Sequence, residues 1–134
     1  MDPSECLRRV STERVATLAT IGAERPHLVP VVFAVDEDRL VTAVDHKPKR
    51  SVRLQRLVNI ARDPGVTVLV NRYDDNWERL WWVRADGSAR ILDDGSEMRR
   101  GIDLLVERYE QYRQIRPQGP LIEISVVRWT GWSA

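Results

Sequence analysis

The chain has 134 residues, of which 43% are hydrophobic and 31% charged, enough apolar material for one buried core under an ordinary charged surface, and this excludes wholesale disorder. Its formal net charge is +1, so the molecule as a whole has no general attraction to nucleic acid or to an anionic membrane. The single cysteine, Cys6, excludes an internal disulfide and any multi-cysteine metal site.

Asp2 as N-cap, Pro3 at the first helical position and Glu5 two residues on predict a short helix to about Ser11, burying Cys6, Leu7 and Val10. Buried there, Cys6 reads as a small core residue rather than a nucleophile. A strand follows from Val15 to Ile21, then the turn Gly22-Ala23-Glu24-Arg25, then a second strand from His27 to Val35. Asp36-Glu37-Asp38 turns the chain into a third strand, Arg39 to Val44, and short turns between successive strands predict an antiparallel meander.

Ser51 is expected to cap a helix whose apolar stripe is Leu54, Leu57, Val58 and Ala61, with Arg53 and Arg56 to its side. Asp63-Pro64-Gly65 ends it. Val66 to Asn71 reads as a fourth strand with both faces covered, and Leu80 to Leu92 as a fifth, with Gly87 marking a bulge or bend. A second long helix carries Ile102, Leu105, Val106 and Tyr109 on one face. Pro117 and Pro120 then bracket an extended link to a last strand, Leu121 to Trp129. Six strands with mostly short antiparallel connections fit a small split or closed barrel with flanking helices, in one domain over residues 1–134. No run of apolar residues approaches the roughly 18 to 20 needed to span a bilayer, and the acidic start lacks a secretory apolar segment. The expectation is a cytosolic protein with no membrane or nucleic-acid partner.

Chemistry of the chain's own is sparse. The glycines form neither a dinucleotide fingerprint nor a Walker loop. His27 and His46 lie far apart, with no carboxylates at ligand spacing. No Gly-x-Ser-x-Gly elbow is present, and the acidic residues cluster in turns. An enzyme built on this chain should therefore borrow a cofactor. Two features could serve one. The only two lysines, Lys47 and Lys49, sit in a basic run from His46 to Arg56, readable either as a solvated helix face or as an anion site. Tyr73, Trp77, Trp81 and Trp82 form an aromatic group that either packs internally or stacks on a flat ligand.

Residues 15–20, 26–31, the Lys/Ser/Arg segment and 59–64 resemble the pyridoxamine-phosphate-oxidase-like split β-barrels. Residues 73–87 are similar to the actinobacterial subgroup that uses the deazaflavin coenzyme F420. The resemblance covers about Glu13 to Trp132 and implies a homodimer with cofactor sites between the subunits. It implies that Lys47, Lys49, Ser51 and Arg53 hold the cofactor phosphate, with Asn59 in the position of the family's asparagine ahead of Asp-Pro. It further implies that Pro30, Val31 and Val44 lie along the ring and ribityl chain, and that Trp77 comes from the other subunit. The basic segment between His46 and Asn59 is longer than in related members, which leaves open which of Lys47, Lys49, Arg53 and Arg56 reaches the phosphate. The implied function is hydride transfer between reduced F420 and a planar or conjugated small molecule. The alternatives are an FMN-dependent oxidoreductase and a non-catalytic flavin- or deazaflavin-binding module. F420 carries a phosphodiester and a polyglutamate tail, which suits several cations in a groove.

Overall fold

The computed structural model describes residues 1–44 and 54–134. Its elements in chain order are α1 (Pro3–Val10), β1 (Ala16–Ile21), β2 (Pro26–Val31), β3 (Ala34–Asp36), β4 (Arg39–Ala43), α2 (Gln55–Arg62), β5 (Gly65–Arg72), a 3-10 turn (Trp77–Arg79), β6 (Trp81–Leu92), α3 (Gly95–Arg108), α4 (Glu110–Gln114) and β7 (Leu121–Ser133). The start of α1 follows its sequence signals: the Asp2 side chain accepts from the Glu5 N–H at 2.9 Å, and Cys6 and Val10 are buried.

Seven strands are present among the described residues where six were expected. The stretch from His27 to Val35 is not one strand but breaks at Val32 and Phe33. β2 pairs with β1, and β3 pairs with β4, which pairs in turn with β7. The expected three-strand meander is therefore not formed. The strand order is β2-β1-β5-β6-β7-β4-β3, antiparallel between the neighbours. Laid flat, its six spacings of about 4.8 Å would set the outer strands roughly 29 Å apart. Yet β2 and β3 are joined by two residues, which reach roughly 10 Å. The sheet must curl until its edges approach, and the seam between them is the split of the barrel.

Inside the curl, Leu18, Phe33, Leu40, Val68, Val83, Ile122 and Ile124 form the main core with Cys6 and Val10 of α1 and Leu57 and Ile60 of α2. A second, smaller core lies under α3, where Ile102 and Leu105 meet Val41, Ala43 and Leu121.

Two helices depart from the expected pattern. α2 begins at Gln55 with Leu54 in the N-cap position and no side-chain cap bond; Ser51, the expected cap, lies outside the described residues. It is also rolled: Leu57, Asn59 and Ile60 are buried, while Val58 and Ala61 of the expected apolar stripe are exposed. The roll is set by a polar contact, described below. α3 ends at Arg108, and Tyr109 takes an extended conformation (φ −119°, ψ 122°) instead of continuing the helix face. The fourth strand differs too, since β5 alternates and Leu69 on its outer face is 38% exposed.

Gly87 sits at the expected irregularity. Asp86 opposes Arg128 and Gly87 opposes Val126, so Val127 is an extra residue in β7. A Cβ on Gly87 would stand 2.3 Å from the Ser125 carbonyl oxygen, and backbone on a paired strand cannot move aside cheaply. Gly87→Ala is accordingly expected to lower stability by about 1–2 kcal/mol, read as a shifted urea midpoint with little change in slope.

Candidate functional site

The seam creates a cleft. Where the ends of β2 and β4 come together without pairing, Val15, Pro30, Val31, Val32, Thr42, Ala43, Arg56 and Tyr112 line a cavity of about 260 Å³. Pro30 is exposed and Val31 buried, as alternation along an edge strand requires. The Thr42 hydroxyl donates to the Val32 carbonyl at 2.7 Å, closing the seam beneath the cleft. The walls are mainly aliphatic, and Arg56 and Tyr112 supply the polar border.

The far side of the seam is held by the end of α3. The Tyr109 hydroxyl accepts from the Phe33 N–H at 3.1 Å and lies 2.8 Å from the carbonyl oxygens of both Phe33 and Arg14. The Arg108 guanidinium donates to the Phe33 carbonyl at 3.1 Å and to the carbonyl of Glu13, and lies 4.7 Å from the Phe33 ring centroid. Burial pushes the Arg108 guanidinium below its ordinary value, chiefly by desolvation; it remains a cation at neutral pH. The backbone released by breaking a strand at Phe33 is thus bonded to side chains of α3 and its cap.

α2 is positioned by a buried amide. Asn59, fully buried, donates through Nδ2 to Thr20 Oγ1 at 3.0 Å and accepts at Oδ1 from Gln55 Nε2 at 2.8 Å. These bonds lock the first turn of α2, and hence Arg56, against β1.

Of the residues expected at the site, Pro30 and Val31 line the seam cleft. Val44 follows β4, half-buried, with its N–H donating to the Pro120 carbonyl at 3.0 Å, and does not line the cleft. Asn59 supports the cleft from within the core. Trp77 lies elsewhere, on the 3-10 turn, 68% exposed, its Nε1–H donating to the Tyr73 hydroxyl at 3.4 Å. Lys47, Lys49, Ser51 and Arg53 lie outside the described residues. Sequence reasoning missed Tyr112: it stands 82 positions from Pro30, and no glycine or proline marks the break at Tyr109 that folds α4 back. Val15, Val32, Thr42 and Ala43 were read as strand residues only.

The outer face of the sheet carries the second notable surface. Pro30 opposes Thr17, Thr17 opposes Leu69, Leu69 opposes Arg84 and Arg84 opposes Thr130 in one row. Leu28, Leu69 and Trp132 stand exposed on this face. A larger concavity of about 550 Å³ lies at the β1–β2 turn, but its lining is chiefly small residues such as Ala19, Ala23, Gly65 and Gly87, with no cluster of cations. Among the described residues no helix is long and apolar enough to cross a membrane.

Comparison with known proteins agrees with this architecture. The sequence profile of the pyridoxamine 5'-phosphate oxidase family matches residues 3–133. Among solved structures, a conserved hypothetical protein of Mycobacterium tuberculosis is 27% identical with a TM-score of 0.78, over 99% of this chain and 85% of that one. An FAD-binding protein of Mesorhizobium loti is 18% identical with a TM-score of 0.76, over 98% and 94%. An FAD-binding protein of Mycobacterium smegmatis is 19% identical with a TM-score of 0.69, over 98% and 95%. No curated protein matches the chain. The chain belongs to the pyridoxamine 5'-phosphate oxidase family.

Proposed function

We propose that this member of the pyridoxamine 5'-phosphate oxidase family is a homodimeric oxidoreductase that passes a hydride between a reduced deazaflavin of the F420 type and a planar or conjugated small molecule. The observation that carries the reading is the seam cleft, with its aliphatic wall of Pro30, Val31, Val32 and Ala43 bordered by Arg56 and Tyr112. A flat ring fits the wall, and β2, at the end of the strand order, offers edge backbone groups to the ring's polar rim. Arg56 closes the basic run that begins at His46, so an anionic tail has cations to follow. With such a cofactor bound, the chemistry supplied is hydride transfer, and no side chain here needs to be a nucleophile. The residues of the cleft bind, orient and exclude water.

Several exposed apolar residues support the dimer. Leu28 and Leu69 are uncovered on one sheet face, and Trp77 projects from the turn after β5. Surfaces of this kind are covered by a partner more often than left in water. Trp77 then reaches the partner's cleft. Sedimentation equilibrium at micromolar concentration is expected to give twice 15.5 kDa; a mass of one chain would remove the subunit-bridging site.

A second reading, with FMN or FAD as the cofactor, draws support from the FAD-binding proteins that share the fold. Titration with F420, FMN and FAD, followed by tryptophan quenching, decides between them: tight binding of a flavin alone would sink the deazaflavin reading. Binding of F420 without oxidation of its reduced form by any of a panel of quinones, enones and nitroaromatics would point to a non-catalytic binding module. Lys49→Ala is expected to weaken cofactor binding by about 1–2 kcal/mol, roughly tenfold, with no loss of apoprotein stability. Arg100→Ala, on α3, serves as the control, and equal losses in both variants would indicate only general electrostatic attraction.

A further inference from the structure

We propose that Tyr112 selects the cofactor: its hydroxyl, at the Val15 end of the seam cleft, donates to the ionised ring hydroxyl of a deazaflavin and disfavours the methylated ring edge of FMN or FAD. This rests on the site proposed above and adds the residue that decides between its two cofactor readings.

The cleft offers a ring few polar side chains. Its wall is aliphatic, and the hydroxyl of Thr42, a buried residue, is already spent on the Val32 carbonyl at 2.7 Å. Arg56 and Tyr112 remain, and they reach the cleft from anchors near opposite ends of β1. Arg56 lies one turn before Asn59, which donates to Thr20 near the end of that strand. Tyr112 lies three residues after Tyr109, whose hydroxyl is 2.8 Å from the carbonyl oxygen of Arg14, just before the strand begins. The two tyrosine rings meet edge to face, with centroids 6.0 Å apart. Val15, the residue after Arg14, lines the cleft with Tyr112.

With the anionic tail following Arg56 and the polar rim of the ring on the edge of β2, the remaining end of the ring is the one left for Tyr112. At that end the two cofactor classes differ. A deazaflavin of the F420 type carries a hydroxyl there that ionises readily, whereas FMN and FAD carry two methyl groups. A phenol O–H gives the first a charge-assisted bond and can give the second none. A site built around such a bond discriminates more sharply than a difference in contact area would. The nearby arginines do not replace the hydroxyl. Arg113 of α4 donates to the carbonyls of Val106 and Glu107 at 3.0 and 2.8 Å, and Arg14 donates to the Arg108 carbonyl at 2.7 Å. Arg108 itself is turned to the backbone of Phe33 and Glu13.

The test is titration of the full chain and of Tyr112→Phe with F420, FMN and FAD, followed by tryptophan quenching. Phenylalanine keeps the ring against Tyr109 and removes only the O–H, so thermal unfolding should be nearly unchanged. F420 affinity is expected to fall by about tenfold to a hundredfold, the range for a hydrogen bond to a charged group. Affinities for FMN and FAD should stay the same or tighten. A second readout needs no turnover: the pH at which the bound, oxidised F420 loses its hydroxyl proton, followed by its visible absorption. In the parent protein this transition should lie below that of free F420, because a donor stabilises the ionised form. In Tyr112→Phe it should move up by about one pH unit. Equal losses for F420 and the flavins, or an unmoved transition in Tyr112→Phe, would overturn the proposal and leave the F420 site standing. A parent chain that binds no F420, with or without a flavin, would overturn both. F420 binding that depends on Tyr112, without hydride transfer to any acceptor, would keep the assignment and remove the oxidoreductase.

Discussion

Asn59→Leu is expected to lower the folding free energy by about 2–4 kcal/mol, the largest stability loss among the substitutions considered. Asn59 is fully buried and makes both its amide contacts within the chain. Leucine has the same branched shape but two bulkier methyls, so the cost comes from stranded polar groups, with some overpacking, and not from a cavity. Thr20, 2% exposed, loses the donor that faces its hydroxyl. Gln55 loses the acceptor for its Nε2. Each unsatisfied buried group costs about 1–3 kcal/mol, Gln55 less because its end of the pair is more open to water. Urea unfolding measures the loss. The double variant Thr20→Val/Asn59→Leu should recover part of it, because removing both partners costs less than removing one. If α2 carries Arg56 to the seam cleft as proposed, the single variant also weakens cofactor binding. An Asn59→Leu protein as stable as the parent would show that the buried amide does not hold α2.

Arg108→Met should cost about 2–3 kcal/mol. Arg108 is a cation that donates to the carbonyls of Phe33 and Glu13 at the point where β2 gives way to β3, and hydrogen bonds from charged groups are worth about 1.5–3 kcal/mol. Methionine keeps much of the packing on the Phe33 ring but none of the donors. The Tyr109 hydroxyl still serves Phe33, so the break survives but is looser. Tyr109→Phe tests the same junction from its other half, with an expected loss of about 1–2 kcal/mol. Contact between the two residues predicts that their effects do not add. Amide hydrogen exchange at Phe33 and Ala34 should accelerate in both variants well before exchange in β6. Unchanged exchange there would mean that the sheet, and not the end of α3, holds the seam.

Local signals in the sequence located most elements. Asp2-Pro3 starts α1 as expected, Gly22 to Arg25 turns β1 into β2, and Gly87 marks the irregularity between β6 and β7. Each depends on backbone chemistry within a few residues: a cap oxygen for a free N–H, a turn, a strand position with no room for Cβ. The family resemblance led us to expect Pro30 and Val31 at a cofactor site, and the structure sets both in the lining of the seam cleft. The belonging of the chain to its family was legible in the same way.

What the sequence could not reveal depends on contacts between distant positions. Val32 and Phe33 are good strand formers, and nothing local ends a strand there. The chain breaks because the curled sheet needs β2 at one edge and β3 at the other, and because Tyr109 and Arg108, some 75 positions away, bond the freed backbone. The apolar period of α2 pointed to Val58 and Ala61, yet the helix is rolled to bring Asn59 onto Thr20: once that hydroxyl is buried, leaving it unpaired costs more than exposing a valine and an alanine. The apolar run of β5 suggested strands covered on both faces, but within one chain the face bearing Leu69 stays open. Tyr112 reaches the cleft only because α3 stops at Arg108 and α4 turns back. Periodicity and turn chemistry are read from neighbours along the chain, whereas the seam and the cleft it opens exist only once the sheet has closed on itself.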